Sequence, residues 1–116
     1  MTNEEFNAYM KKRFDEILQL REQKAKEYTK DNAFENFISA SKFLEESPEK
    51  VAFFYVTKHI ISIKDALFKG VGEDKLREKV SDIIVYMLLI EAMALTKGAD
   101  KKIPQNEDKP KAFMAL

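Results

Sequence analysis

Lys58, Ser62 and Asp65 stand at i, i+4 and i+7 inside an otherwise apolar stretch, so on a helix they form one polar stripe. His59, the single histidine of the chain, lies about 100° round from Lys58 and one turn from Ser62, and so borders that stripe. A second stripe is made by Glu78, Asp82 and Tyr86, again one turn apart. A third group, Lys24, Tyr28, Asp31, Asn32, Asn36 and Phe37, falls where one helix ends and the next begins. Such residue types can do three kinds of chemistry. Lysine and imidazole bind phosphate. Inward carboxylates on facing helices, here Asp82 against Asp65 or His59, are what a Mg²⁺ site requires. A helix start offers free N–H groups to an anion, and Tyr28, Phe34 and Phe37 offer faces on which a base stacks. Each group also has an ordinary reading: a solvated face, an exposed acid at the end of a buried segment, or capping chemistry with core aromatics.

The elements that must carry these groups are helical. Only three glycines and three prolines occur, and between them apolar residues recur at spacings of three and four. The spacing predicts a first helix from Asn3 to Tyr28 with Phe6, Met10, Phe14, Ile17 and Leu18 on one stripe. A second is expected from Ala33 to Leu44, started by an Asn32 and Glu35 capping box, with Phe34, Phe37, Ile38, Ser41 and Leu44 on one face. The third has Ser47 as N-cap and Pro48 in its first turn, runs to about Phe68 and stops at Gly70. Between Val51 and Ile63 it is apolar nearly all round, which predicts burial on most sides. The fourth runs from Glu73 to Thr96 with Gly98 beyond it. Its apolar run Ile83 to Ile90 places it centrally in a bundle or against a second subunit. These features give an all-α, four-helix bundle-like domain over residues 1–98, with a tail over 99–116. The tail is polar to Lys111 and closes on Ala-Phe-Met-Ala-Leu, an arm to dock on a neighbour or an unstructured end.

Composition narrows the function classes. Twenty basic and 20 acidic side chains balance, which excludes a strongly basic nucleic-acid module, so no nucleic-acid partner is expected. The absence of cysteine excludes a thiol nucleophile and any cysteine-ligated metal. There is no P-loop, no Gly-rich dinucleotide turn, no His-Glu-x-x-His and no Gly-x-Ser-x-Gly. Ser62, His59 and Asp65 share one helix, a poor geometry for a proton relay. No signal peptide is visible, and the longest apolar run is far short of a membrane span. A cytoplasmic protein with no membrane partner is expected. A domain of 116 residues buries only about two thirds of its surface on folding, so a homo-oligomer is expected.

The ordered pieces Lys24-x-x-x-Tyr28, Asp31-Asn32-x-Phe34-x-Asn36-Phe37, Ser47-Pro48-Glu49, Lys58-His59-x-x-Ser62-Ile63-x-Asp65 and Asp82-x-x-x-Tyr86-x-x-Leu89 span about residues 20–95. Together they resemble the nucleotide-modification-associated domain group of bacteriophages, distant relatives of the all-α, MazG-like nucleoside triphosphate pyrophosphohydrolases. The resemblance implies a helical fold, often dimeric or tetrameric, with a nucleotide pocket between helices. In the active enzymes Glu-x-x-Glu on one helix and Glu-x-x-Asp on the next hold Mg²⁺. Here His59 and Ser62 stand roughly at the first pair and Lys79 and Asp82 at the second, so only the aspartate matches. Without those acids, phosphoryl charge is not neutralised in the usual way.

The leading expectation is therefore a phage-type protein that binds a nucleotide or cyclic nucleotide without turnover, sequestering it, for instance, as an anti-defence device against a host immune signal. Lys24, Lys58 and His59 would take the phosphate, and Tyr28, Asn32, Asn36 and Asp82 the base or ribose, with Ser62 and Tyr86 completing the pocket. The first alternative is a Mg²⁺-dependent nucleotide pyrophosphohydrolase with Asp31, Asp65 and Asp82 as ligands. The second is a helical interaction protein that binds a host protein through its fourth helix or tail.

Overall fold

The computed structural model describes residues 1–27, 33–70 and 72–96. They form four helices and no strand: α1 (Asn3–Glu27), α2 (Glu35–Leu44), α3 (Pro48–Lys69) and α4 (Glu73–Leu95). The all-α, bundle-like class expected from the periodicity is the one observed. The expected tail, with Gly98, lies outside the described residues.

Local chemistry explains the boundaries. The α1 start is a reciprocal capping box: Glu5 N–H donates to Thr2 Oγ1 at 3.1 Å, and Thr2 N–H donates to Glu5 Oε2 at 3.2 Å. At α3, Lys50 N–H donates to Ser47 Oγ at 3.4 Å, and Pro48 occupies the first turn, where its missing N–H costs nothing. Gly70 ends α3 at φ +72°, a left-handed conformation that glycine adopts without strain. The α2 helix closes on Glu45 at φ 55°, a left-handed residue with a side chain, and the following N–H of Glu46 donates back to Ser41 O at 3.1 Å. Helix α2 starts later than expected. Its N-cap is Phe34, which makes no side-chain cap bond, and Asn32 lies outside the described residues.

Helix α3 packs antiparallel on α4, and this pair is the main packing unit. Helix α2 packs on α3. The core is Phe37, Val51, Ala52 and Met93, with Phe34, Ala40, Tyr86, Leu89 and Ile90 packed around it. Helix α1 leans on the other flank of α4. Its buried side chains there are Ile17 and, against expectation, Arg13. The Arg13 guanidinium donates through Nη2 to Ser81 Oγ at 2.7 Å and to Arg77 O at 3.2 Å, and through Nη1 to Glu16 at 3.0 Å. Beside that contact Phe14, Ile17, Leu18 and Arg21 face Ile84, Val85, Leu88, Leu89 and Ala92 across an open apolar groove of about 390 Å³.

Two burial expectations fail. Helix α3 is not buried on most sides: Phe53, Phe54, Tyr55, Ile60 and Ile61 are each about half exposed. The expected α1 stripe is also split, with Phe6, Phe14 and Leu18 about half exposed and Ile17 buried. The reason is geometric. Each of these helices meets its neighbours on one face only, so an apolar surface wider than that face stays uncovered within a single chain.

Candidate functional site

The α3–α4 hairpin sets His59, in mid-α3, against Asp82 and Tyr86, one turn apart in mid-α4. His59 Nδ1 lies 3.6 Å from Asp82 Oδ2, an ion-pair distance rather than a hydrogen bond. That nitrogen is buried, and among the described residues it has no hydrogen-bond partner. The imidazole lies tilted on the Tyr86 ring, with centroids 5.1 Å apart. Tyr86 in turn stacks with Tyr55, one turn before His59, at 6.4 Å and an interplanar angle of 23°. Phe37 of α2 closes the cluster edge-on, 6.0 Å from Tyr55 and 5.9 Å from Tyr86. The result is a ladder of rings with one face of Tyr55 near solvent and a single carboxylate at the imidazole end.

The residues singled out in the sequence distribute unevenly around this cluster. His59, Asp82 and Tyr86 are brought together by it. Ser62 sits one turn along from His59 and turns its hydroxyl back to donate to Lys58 O at 3.2 Å. Lys58 is exposed beside His59, and Asn36 is exposed beside Phe37 on α2. Asp65 does not face Asp82: its carboxylate pairs along its own helix with Lys69 at 3.5 Å. Lys24 is exposed in the last turn of α1, the helix that packs on the other flank of α4, so one chain does not join it to His59. Tyr28, Asp31 and Asn32 lie outside the described residues. Among the described residues no three His, Cys, Asp or Glu side chains converge in a way that could hold a metal ion.

Sequence reasoning missed Tyr55. Its signal was present, since Tyr55 precedes His59 by four residues and so shares its helix face.

Chemically the cluster offers aromatic faces for a planar ring, an acceptor pair at Asp82 for N–H or O–H groups, and a lysine at its rim for an anion. Among the described residues no helix is long and apolar enough to cross a membrane. No family model, no curated protein and no solved structure matches the chain.

Proposed function

We propose that the chain binds a nucleotide, or a cyclic nucleotide signal, at the Tyr55–Tyr86–His59–Asp82 cluster and holds it without turnover. The observation that carries this reading is the His59 and Asp82 pair set against stacked tyrosines in the seam of α3 and α4. A polar pair has no structural need to lie among core aromatics, and its buried Nδ1 lacks a hydrogen bond among the described residues. A ligand that stacks on Tyr55 and bonds to Asp82 would use the half-exposed ring and the carboxylate of that pair, and Lys58 would meet its phosphate. Holding without turnover is favoured over Mg²⁺-dependent hydrolysis by where the acids go: Asp82 faces His59, and Asp65 pairs with Lys69.

The test is a thermal-shift series with mononucleotides and cyclic nucleotides, each with Mg²⁺ and with EDTA. A ligand present at a hundred times its Kd stabilises by about 2.7 kcal/mol, roughly 10 to 20 °C in a domain of this size. Stabilisation that is equal in EDTA, unaccompanied by product and lost in His59→Ala supports the reading. Mg²⁺-dependent product formation establishes the pyrophosphohydrolase instead. No response to any nucleotide refutes nucleotide binding.

A further inference from the structure

The outward face of α3 repeats at seven residues. Phe53-Phe54, Ile60-Ile61 and Leu67-Phe68 are adjacent apolar pairs spaced one heptad apart, with Thr57 and Lys64 on the line between them. All six apolar side chains are more than half exposed, from 51% at Ile60 to 81% at Phe68. The inward face of the same helix carries the buried Val51, Ala52, Val56 and Ala66. A seven-residue period is the signature of helix-on-helix packing with left-handed supercoil, because it keeps one seam facing the partner from one heptad to the next. Nothing in the described chain occupies that seam.

We propose that this face is the interface of a two-fold dimer in which α3 packs antiparallel against α3 of a second copy, crossing at Ile60 and Ile61. Three observations select a second copy in this register. The first is area. The six side chains expose on the order of 700 Å² per chain, most of the roughly 800 Å² that each partner contributes to a standard interface. The second is the palindromic order of the pairs. A two-fold axis beside Ile60 and Ile61 sets Phe54 against Phe68 of the second copy, Phe53 against Leu67, and the isoleucines against themselves. The third is charge. In this register Lys64 meets Thr57 of the second copy, whose hydroxyl already donates to Phe53 O and so presents lone pairs. Lys58 comes within about 3 Å, measured along the axis, of Asp65 of the second copy. A parallel pairing would instead place Lys64 on Lys64 in the middle of an apolar seam. This inference does not depend on nucleotide binding.

The test uses the full chain and its lack of cysteine. Sedimentation velocity is expected to give twice the 13.5 kDa chain mass. Ile61→Lys is expected to fall to the single-chain mass with unchanged helical circular dichroism, since Ile61 is 55% exposed and outside the core. For the register, Ile61→Cys is expected to form a disulfide-linked dimer under mild oxidation, because the axis brings the two copies of this position together. Thr57→Cys is expected not to, because its copies stand about 10 Å apart along the axis. A wild-type chain that stays at 13.5 kDa leaves the face to some other protein and overturns the proposal. So does a dimer that persists in Ile61→Lys, or a disulfide that forms at position 57 and not at 61.

Discussion

Replacing Arg13 by alanine should detach α1 while leaving the α3–α4 hairpin folded. The guanidinium is 9% exposed and makes three bonds, but only two cross between helices: those to Ser81 Oγ and Arg77 O. The third, to Glu16, lies within α1 and does not hold it to anything. Each crossing bond has a charged donor, which contributes about 1.5–3 kcal/mol, and desolvation of the guanidinium offsets part of the sum. The acceptors left behind remain satisfied, because Ser81 Oγ donates to Arg77 O at 2.8 Å regardless. A net loss of about 2–3 kcal/mol follows, concentrated on α1, whose other buried contact there is Ile17. Helices in proteins draw most of their stability from packing of an apolar face, so α1 loses its main support when that docking weakens. Native-state hydrogen exchange should therefore show amides of α1 opening roughly 30- to 150-fold faster, with those of α3 and α4 unchanged. Ser81→Ala should lose about 1 kcal/mol, and the double variant should show coupling of about 1 kcal/mol or more. The reasoning is refuted if α1 exchange is unaltered in Arg13→Ala, or if α3 and α4 lose protection equally.

Other substitutions probe the remaining elements. Val51→Ala, at the most buried large side chain among the described residues, should cost about 2 kcal/mol, read as a lower urea midpoint at constant m. Ser47→Ala removes the α3 cap and should cost about 1 kcal/mol in the same assay. Glu45→Gly should stabilise by about 0.5–1 kcal/mol, raising Tm by a few degrees, because glycine adopts the left-handed φ of 55° without the side-chain clash. Under the nucleotide reading, Tyr55→Leu should weaken binding about tenfold or more in titration calorimetry with little effect on stability, since its ring is 48% exposed.

The helices were legible because their punctuation is chemical: Ser47-Pro48 starts α3 and Gly70 stops it wherever the helix packs. Contact between His59 and Asp82 was legible only as one of two options, because periodicity places a residue on a face and does not say which face meets which. Arg13 was not legible as a buried group. Its position between Met10 and Ile17 lies on the apolar stripe, but a sequence pattern counts an arginine as solvated, and only the acceptors at Arg77 and Ser81, more than sixty residues away, reverse that. Burial of α3 was misjudged for a related reason. An all-round apolar helix announces that it will be covered, and leaves open whether its own chain does the covering.

Helix α3 carries its side chains in an order that a lone domain would not favour. Facing inward are the small Val51, Ala52, Val56 and Ala66, together with His59 and Ser62. The bulky Phe53, Phe54, Ile60, Ile61, Leu67 and Phe68 face out. Each large side chain left half exposed forgoes about 1 kcal/mol of burial, and each polar group turned inward costs unless something bonds to it. Both costs would be relieved by the two proposed partners, a polar, planar one at the α4 seam and an apolar, helical one on the outer face. Small residues inside keep α3 close to α4, so that His59 reaches Asp82, while the heptad outside is left uncovered by the described residues. Lys58 stands at the border of the two faces, next to His59 on one side and, in the proposed dimer, level with the Asp65 of a second copy on the other, so Lys58→Ala should weaken both proposed contacts.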